Sequence, residues 1–433
     1  MAIRVAVIGA GAAGLCAVRH LASRPSTFSV TAFEQGEKVG GTWVYTEKTG
    51  TDAHGLPIHS SMYKNLKTNL PKEVMAFPDF PFDRNLPSFV KHSEVLEYLE
   101  QYASHFNLLQ HIKFQTQVVK VEPVASEESK TKTGLGEKWE VTTAPATDRD
   151  CCVTEEYDAV IICNGHYSVP LIPKLPGLDT FQGQIMHSHN YRHPEAFKDK
   201  TVLCLGAASS GQDISIDLSS TAKMVYLCHN RDPIQSPLPP NLQQKSGIRS
   251  INGSTITLLD GEEVTADWIL FCTGYHFTFP FLDDKCHVHI DTDERITPLY
   301  KHLIHTEFPS MSFIGICKTI CPFPQFHVQV LLALGVLDGT VQLPSKEEMD
   351  ADTEADLQKR LAEGLPRRYA HTMGNRQWAY NDEIASLAGI PQIPRAVQNL
   401  YDAIHLNRVK DLVNYKKNNY MLLDEENFVR LDN

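Results

Sequence analysis

The sequence of 433 residues predicts an α/β fold with two β-α-β units, the second inserted within the domain that the first begins. Near the N-terminus the apolar run IRVAVI (3–8) leads into a glycine-rich turn and a helical stretch, and TVLCLG (201–206) begins the same order again. Two further apolar runs, YDAVIICNG (157–165) and WILFCTGY (268–275), both close on a glycine turn. Apolar strands that alternate with helices are typical of a parallel sheet covered on both faces.

Composition narrows the class of protein. Lysine and arginine number 40 and aspartate and glutamate 52, which gives a formal net charge of −12 without a basic block, so we expect no nucleic acid partner. The longest apolar candidate, VQVLLALGVL (328–337), is about half as long as a membrane helix, and no membrane anchor is predicted. The ten cysteines include no CxxC pair, so no metal site is predicted, although Cys317 and Cys321 leave a redox pair as an alternative.

The first glycine-rich turn carries the pattern GxGxxG at Gly9, Gly11 and Gly14, directly after a strand and before a helix. The first glycine permits the tight turn, the second lets the backbone approach a pyrophosphate, and the third lets the helix pack on the strand. The next strand, FSVTAFE (28–34), ends at Glu34, whose carboxylate can bind a ribose 2′-hydroxyl and repels a 2′-phosphate. This arrangement predicts FAD here, with a purely structural turn as the alternative.

The second glycine-rich turn is formed by Gly206, Ala208 and Gly211, with alanine in the middle position. Ser209 and Ser210 offer hydroxyl groups to a phosphate. Two such turns in one chain predict two Rossmann-like domains, one for a flavin and one for a nicotinamide cofactor.

The strand after the second turn ends without an acidic residue, at His229, Asn230 and Arg231. A cation at this place suits a 2′-phosphate, which favours NADPH over NADH. Arg231 is the predicted phosphate partner. His229 or Asn230 could take that place instead, and a solvated surface arginine is a further alternative.

These observations predict three segments. Residues 1–168 form the first part of the FAD-binding domain, 169–287 form the NADPH-binding domain, and 288–433 complete the FAD-binding domain and add a C-terminal helical region. The polar stretch 123–150 is predicted as a hairpin with a variable tip. The proline-rich run VPLIPKLPG (169–177) is predicted as an extended connection between the domains.

Five further segments carry a specific resemblance. They are F-x-G-x-x-x-H-x-x-x-Y with Phe181, Gly183, His187 and Tyr191, VGGTW (39–43), TNLPKEVMAFPDFPF (68–82), ILFCTGYHFTFPFL (269–282) and FPQFHVQ (323–329). Together with the two glycine turns, they are similar to the motifs of the flavin-containing monooxygenase family. In that family the first pattern lies just ahead of the NADPH turn, and the last belongs to a cofactor-contacting loop.

The resemblance implies a reaction. NADPH would reduce FAD, molecular oxygen would add to give a C4a-hydroperoxyflavin, and a soft nucleophile, a tertiary amine or a sulfide, would take the distal oxygen. Asn69 is the implied catalytic residue, because its amide would hold the flavin edge, NADP⁺ and the oxygen adduct. A buried loop cap is the alternative role for Asn69. His187 and Tyr191 are expected to fix the linker between the domains and to take no part in the chemistry.

The motifs and the resemblance together predict the cofactor-binding residues. They are Gly9, Gly11, Ala13, Gly14, Glu34, Gln35, Gly41, Thr42, Trp43, Tyr63, Asn69, Val118, Gly206, Ser209, Ser210, Gly211, Arg231 and Gln329. The resemblance implies that Tyr63 contacts the nicotinamide nucleotide and that the backbone of Val118 contacts the adenine end of FAD. An ordinary core tyrosine and an ordinary strand valine stay open as alternatives at these two positions.

The polar, acidic C-terminal end resembles the short soluble branch of the family, which includes secreted insect enzymes that N-oxygenate pyrrolizidine alkaloids such as senecionine. The resemblance implies alkaloid detoxification, or S-oxygenation of sulfides, by a homo-oligomer. It also implies an extracellular location if a signal peptide has been removed, and otherwise a cytoplasmic one. The glycosylation sequon at Asn252 is compatible with the extracellular location.

Four other functions stay open. A Baeyer–Villiger monooxygenase and an NADPH oxidase are alternatives on the same scaffold, although the former usually has tryptophan where this chain has Tyr191. A disulfide reductase would need a redox cysteine pair beside the flavin. A non-catalytic flavin-binding sensor is the alternative outside the enzymes.

Overall fold

The computed structural model describes residues 2–124 and 137–431. Its α-helices are α1 (Ala12–Ala22), α2 (Lys72–Met75), α3 (His92–His105), α4 (Ser209–Leu218), α5 (Pro322–Leu337), α6 (Lys346–Ala362), α7 (Arg376–Ala388) and α8 (Arg395–Lys410). Its strands are β1 (Ile3–Ile8), β2 (Phe28–Phe33), β3 (Ile112–Lys113), β4 (Thr116–Pro123), β5 (Trp139–Pro145), β6 (Val153–Tyr157), β7 (Ala159–Ile162), β8 (Val169–Pro170), β9 (Gln184–His187), β10 (Thr201–Leu205), β11 (Met224–Cys228), β12 (Leu242–Lys245), β13 (Ile248–Asn252), β14 (Thr255–Leu258), β15 (Glu263–Thr265), β16 (Trp268–Phe271), β17 (Tyr275–His276), β18 (His289–Ile290), β19 (Ile296–Thr297), β20 (Leu299–Tyr300), β21 (Ile304–His305), β22 (Met311–Phe313), β23 (Asn419–Leu422) and β24 (Phe428–Leu431).

The first sheet has seven strands in the order β20-β21-β22-β7-β1-β2-β3. Its central strand β1 is parallel to both neighbours, β2 and β7. Alternate residues of β1 enter two different cores. Val5 and Val7 pack with α1, α3 and α5 on one face, and Ala6 and Ile8 pack with β4 and β5 on the other. This two-sided burial explains why the strand reads as a continuous apolar run.

The second sheet has five parallel strands in the order β12-β11-β10-β16-β9. Helix α4 covers one face, and the small antiparallel sheet β13-β14-β15 covers the other. All five strands lie in the chain between β7 and β20, so the second β-α-β unit is inserted within the first sheet, as the sequence predicts. The predicted α/β fold class is confirmed, while the domain limits at 168 and 287 stay a prediction.

The chain enters and leaves the second sheet through two segments that lie side by side. β8 in the proline-rich connection pairs antiparallel with β17, and the Leu171 N–H donates to the Gly274 carbonyl oxygen at 3.0 Å. The Thr273 hydroxyl donates to the Leu171 carbonyl oxygen. The predicted extended connection is therefore one strand of a two-stranded crossover.

Three local predictions differ from the structure. The predicted hairpin is a three-stranded sheet, β4-β5-β6, and most of its predicted tip lies outside the described residues. FPQFHVQ, predicted as a loop, lies in α5, because proline is tolerated in the first turn of a helix and the residues that follow are apolar. The C-terminal region is helical as predicted, but Phe428–Leu431 pair with β23 as a strand. None of the helices within the described ranges is long and apolar enough to cross a membrane.

Candidate active site

The first glycine-rich turn joins β1 to α1 at the carboxyl edge of the first sheet. Gly9 has a φ of +101°, and a Cβ atom there would lie 2.6 Å from the Cys163 carbonyl oxygen. A Cβ atom at Gly14 would lie 1.9 Å from the Gly9 carbonyl oxygen. At Gly11 the nearest atom to such a Cβ would be the Gly41 Cα at 3.5 Å. Neighbouring backbone thus leaves no room for a side chain at Gly9 and Gly14, whereas the space beside Gly11 is open. This space suits a pyrophosphate at the N-terminus of α1.

Glu34 orders this turn from the end of β2. Its carboxylate accepts hydrogen bonds from the backbone N–H groups of Ala10 and Gly36, both at 2.8 Å. Burial raises the pKa of Glu34, and these two hydrogen bonds oppose the rise. A carboxylate has about four acceptor positions, so two remain for the hydroxyls of the predicted ribose.

Residues 41–43 form a 3₁₀ turn beside Gly11. The Thr42 hydroxyl lies 3.4 Å from the Ser61 hydroxyl, and Trp43 is half-buried against the core of the first sheet. Ala13 and Gln35 are also partly accessible to solvent. The structure therefore brings the predicted Gly41 to the predicted Gly11, although 30 positions separate them in the sequence.

Asn69 lies in a loop that backbone hydrogen bonds hold in place. The Thr68 N–H donates to the Val90 carbonyl oxygen at 2.8 Å, and the Lys72 N–H donates to the Ser88 carbonyl oxygen at 2.6 Å. The Asn69 side chain is half-buried, and it makes no hydrogen bond to any other residue in the part of the chain that the structure describes. A carboxamide with two donor hydrogens and one acceptor oxygen is therefore held in place and available to a ligand.

Tyr63 ties the segment that leads to Asn69 to the second sheet. Its hydroxyl donates to the Asp213 carboxylate in α4, and the other oxygen of that carboxylate accepts a hydrogen bond from Lys416 Nζ. The Tyr63 side chain is only 5% exposed, and burial raises its pKa, with a further rise from Asp213. Since the hydroxyl is engaged, the predicted contact of Tyr63 with the nicotinamide nucleotide would have to come from its ring.

We expect Asp213→Asn to lower the free energy of unfolding by about 2 kcal/mol, because charge-assisted hydrogen bonds to Tyr63 and Lys416 are lost. The same change should increase the NADPH oxidised without product, because the loop that carries Asn69 loses its tie to α4. Chemical denaturation and product per NADPH measure the two effects. Asp232→Asn, which removes one negative charge from an exposed position of the same region, is the matched control. Equal behaviour of the two variants would contradict the role of Asp213.

His187 and Tyr191 make contacts inside the protein. The Tyr191 hydroxyl donates to the Asp217 carboxylate at 2.6 Å. His187 Nε2 lies 3.0 Å from the Gly274 carbonyl oxygen, and His187 Nδ1 accepts a hydrogen bond from the His189 N–H at 3.0 Å. Asp217 belongs to α4, Gly274 to the crossover, and His189 to the turn after β9. The contacts are those expected of residues that fix a linker, and that role stays a prediction.

The second glycine-rich turn repeats the geometry of the first. A Cβ atom at Gly206 would lie 2.6 Å from the Cys272 carbonyl oxygen, and one at Gly211 would lie 1.7 Å from the Gly206 carbonyl oxygen. Ala208 is exposed, so its methyl group does not fill the turn. Ser209 and Ser210 are exposed at the N-terminus of α4, where a phosphate would meet backbone N–H groups.

Of the three candidates for the 2′-phosphate, Arg231 has the available side chain. His229 Nε2 lies 3.2 Å from Gln244 Oε1, and Asn230 Oδ1 accepts a hydrogen bond from the Gly247 N–H at 3.1 Å. Arg231 is exposed, and its guanidinium makes no hydrogen bond among residues 2–124 and 137–431. The geometry favours Arg231, because the other two side chains already have partners.

We expect Arg231→Ala to raise the KM for NADPH by about 10- to 100-fold, which corresponds to about 1.5–3 kcal/mol for a hydrogen bond to a charged group. The KM for NADH should change little, because NADH has no 2′-phosphate. Steady-state kinetics with both cofactors measures the difference. Arg249→Ala removes an exposed arginine from the same region and serves as the control. An equal loss for NADPH and NADH would contradict the prediction.

Sequence analysis did not identify three residues that lie at the carboxyl edge of the first sheet: His59, His166 and Lys318. A Cβ atom at Gly165 would lie 3.3 Å from His59 Nε2, the His166 ring centroid lies 5.0 Å from that of Phe277, and Lys318 Nζ lies 4.1 Å from the same Phe277 centroid. Burial lowers the pKa of His59 to about 4 and that of His166 to about 3, and it also lowers the pKa of Lys318. Both imidazoles are therefore neutral at neutral pH. The position of His166 just after a strand that closes on glycine was the available signal.

A profile of the flavin-binding monooxygenase-like family matches residues 2–233 and 239–402. The chain belongs to the flavin-binding monooxygenase-like family. Similar proteins include FMO GS-OX-like 5 of Arabidopsis thaliana, which is 39% identical over 404 residues that cover 89% of this chain and 87% of that protein. FMO GS-OX4 of the same plant is 40% identical over 408 residues, which cover 90% of this chain and 85% of that protein.

Solved structures agree with this membership. S-allyl-L-cysteine S-oxygenase from Allium sativum superimposes with a TM-score of 0.86 at 36% identity, over 96% of this chain and 95% of that chain. Tmm from Pelagibacter sp. strain HTCC7211 gives a TM-score of 0.84 at 27% identity, over 97% and 94%. This flavin-binding monooxygenase is thus an enzyme that uses FAD and NADPH, as the sequence predicts. Both glycine turns fit these dinucleotides, since each leaves its helix N-terminus free of side-chain caps.

Two predicted contact residues of this flavin-binding monooxygenase are buried. The Gln329 side chain is 0% exposed; its Oε1 accepts from the Gly315 N–H at 3.1 Å and its Nε2 donates to the Tyr380 hydroxyl at 2.8 Å. Its amide therefore shapes the turn after β22, and direct cofactor contact stays a prediction. The Val118 side chain packs in the core beside a register shift of β4, so only its backbone could meet FAD, as the resemblance implies.

Cys317 and Cys321 do not form a redox pair in this structure. Both thiols are free and buried. Cys317 packs in the core of the first sheet, whereas Cys321 packs in a separate cluster with Phe89 and Trp378. Burial raises the pKa of both thiols, which lowers their reactivity. The geometry argues against a disulfide reductase.

Proposed function

We propose that this monooxygenase uses NADPH and molecular oxygen to oxygenate sulfides at sulfur, with tertiary amines as the second class of substrate. The observation that carries the proposal is its 36% identity, over 96% of the chain, to the S-allyl-L-cysteine S-oxygenase of Allium sativum. Cyclohexanone monooxygenase shares only the fold, at 16% identity and a TM-score of 0.60. Together with Tyr191, this difference argues against a Baeyer–Villiger enzyme.

When bound, FAD that has been reduced by NADPH supplies the chemistry that activates molecular oxygen. The chain itself supplies binding, orientation and exclusion of water. The two glycine turns hold the two pyrophosphates at the N-termini of α1 and α4. Asn69 orients the reacting edge through its amide, and the Tyr63–Asp213–Lys416 link keeps its loop fixed relative to α4. A preorganised amide lowers the reorganisation that the reaction requires.

The electrostatics of the carboxyl edge favour a sulfide. A sulfide is neutral at every pH, whereas a tertiary amine is mostly a cation at neutral pH and must lose its proton before its nitrogen can react. His59 and His166 are neutral there, and Lys318 adds a positive charge when protonated, which repels an ammonium group. For N-oxygenation, including that of pyrrolizidine alkaloids, the amine would have to reach the site already unprotonated, because imidazoles with pKa values this low are poor acceptors for the ammonium proton.

The test is a matched pair of substrates, a methyl alkyl sulfide and the dimethylalkylamine with the same alkyl chain. Sulfoxide and N-oxide are measured by mass spectrometry against NADPH consumed, between pH 6.5 and 9. We expect a higher kcat/KM for the sulfide and an increase with pH for the amine alone. Preferred turnover of the amine would reject the S-oxygenase proposal. NADPH consumption with neither product would indicate an NADPH oxidase, and a flavoprotein without turnover would indicate a sensor.

The homo-oligomer and the two locations that the resemblance implies are part of this proposal. Asn252 of the predicted sequon is exposed at a hairpin turn, where a glycan could be attached. Light scattering measures the oligomeric state, and a glycan on Asn252 of the protein isolated from its source would support secretion over the cytoplasm.

A further inference from the structure

Three side chains with metal-ligating atoms meet behind the first glycine turn, on α1 and α5. Cys16 and His20 are one helical turn apart on α1, and such residues lie on the same face of a helix. His327 faces them from α5, which packs against α1. The ligand atoms of the three residues all lie within 4.8 Å of one another. We define these three residues as the Cys-His-His cluster.

The distance between the two imidazoles matches metal coordination. His20 Nε2 lies 3.2 Å from His327 Nδ1. Two nitrogens bound to one tetrahedral Zn²⁺, each about 2.0–2.1 Å from the ion, lie about 3.3 Å apart. A thiolate and two imidazoles are the ligand set that zinc accepts in proteins, with a fourth position left for another group.

The chemistry of the three side chains also suits such an ion. A neutral imidazole binds a metal through its unprotonated ring nitrogen, and His20 Nε2 and His327 Nδ1 face each other. The Cys16 thiol would lose its proton to solvent when its sulfur binds the cation.

One neighbouring hydroxyl lacks a partner that such a site would provide. The Tyr102 hydroxyl is buried without a hydrogen-bond partner among the described residues, and it is near enough to Cys16 to interact with it electrostatically. Its O–H could donate to a metal-bound thiolate. Asp79 also acts on both Cys16 and His327, and it lies 3.4 Å from Arg19 Nε. Asp79 is not among the ligand atoms that lie within 4.8 Å of one another, so its place is that of an outer partner.

We propose that Cys16, His20 and His327 form a binding site for Zn²⁺ that joins α1 to α5, with the fourth position open to another ligand. Cys16 lies five residues beyond Gly11, and His20 nine, on the helix whose N-terminus faces the FAD pyrophosphate. The ion would therefore brace the FAD-binding part of the protein from behind the first glycine turn. The alternative is a hydrogen bond between two neutral imidazoles and no metal binding.

The experiment titrates the FAD-loaded protein with Zn²⁺ by isothermal calorimetry. The background carries Cys151→Ser and Cys152→Ser, because these exposed adjacent thiols could bind zinc adventitiously. We expect one Zn²⁺ per chain and release of one proton from Cys16, obtained from buffers that differ in ionisation enthalpy. X-ray absorption should show one sulfur at about 2.3 Å and two nitrogens at about 2.0 Å from the ion.

Two variants test the assignment. Cys16→Val and His327→Gln should each weaken Zn²⁺ binding by at least about 100-fold, more than the loss of an outer partner of a metal site. His54→Gln, which removes an exposed histidine, should leave binding unchanged. Retained flavin absorbance shows that each variant is folded. If Cys16→Val does not fold, Zn²⁺ binding by His327→Gln decides the test alone, because His327 is only half-buried. Binding of less than one tenth of an equivalent, an ion without a sulfur ligand, or equal binding by the variants would overturn the proposal.

Discussion

Replacing Asn69 by alanine or serine is expected to lower the rate of product formation by about 100-fold, the loss seen when one preorganised hydrogen-bond donor is removed from a reaction centre. NADPH oxidation should continue, so hydrogen peroxide should replace the oxygenated product. The reason is that the Asn69 amide has no hydrogen-bond partner among the described residues and is therefore free to bind the reacting groups. Its loop is held in place by the Thr68–Val90 and Lys72–Ser88 hydrogen bonds. Product, peroxide and NADPH are measured in the same reaction.

Asn85→Ala is the matched control for Asn69, because Asn85 lies in an exposed loop and its amide donates to Asp83. We expect this control to keep wild-type coupling. Flavin absorbance and thermal unfolding of the Asn69 variants should also match the wild type, since the amide makes no hydrogen bond to another described residue. An unchanged product yield per NADPH in Asn69→Ala would remove Asn69 from the mechanism.

The second large effect is expected from two alanine substitutions in the first glycine turn. In Gly14→Ala the new Cβ would lie 1.9 Å from the Gly9 carbonyl oxygen, so α1 must move away from β1. We expect a loss of about 3 kcal/mol or more of unfolding free energy, as for an overpacked core position, and purification without flavin. In Gly11→Ala the new Cβ has no atom closer than 3.5 Å, so the apoprotein should keep its stability and lose only FAD affinity.

The contrast between these two variants separates folding from cofactor binding. Denaturant unfolding of the flavin-free proteins measures the first, and FAD titration by flavin fluorescence measures the second. Each variant is the control for the other, because both add one methyl group at a glycine outside the positive-φ region. If Gly11→Ala unfolds as readily as Gly14→Ala, the assignment of an open approach at Gly11 is wrong.

Much of the cofactor architecture follows from short stretches of sequence. Gly14 has no room for a Cβ because the Gly9 carbonyl oxygen lies against it, and Gly9 itself has a φ of +101°, so both demands appear as a fixed local spacing. Glu34 is equally local, since it closes the strand next to the turn that it orders. The inserted second unit is visible as well, because Gly206 and Gly211 repeat the same steric demands.

Local sequence patterns predict a helix or strand less well where contacts with other elements stabilise it. FPQFHVQ contains Pro324 and follows Pro322, which favours a loop, yet it lies in the first half of α5. Its apolar side chains pack against α1 and the first sheet, and this burial stabilises the helix. The C-terminal strand β24 was missed for the same reason, because its pairing with β23 is set by contacts and not by its acidic composition.

The sequence by itself determined the α/β class, the two dinucleotide turns and the family, because glycine positions and strand ends are read within a few neighbouring residues. Three features are visible only in the tertiary structure: the Tyr63–Asp213–Lys416 hydrogen bonds, the burial that keeps His59 and His166 neutral, and the Cys-His-His cluster. Each joins residues that lie far apart in the chain, such as Tyr63 with Asp213 and His20 with His327. Folding creates these distances and the burial that shifts the pKa values, and no local pattern records either.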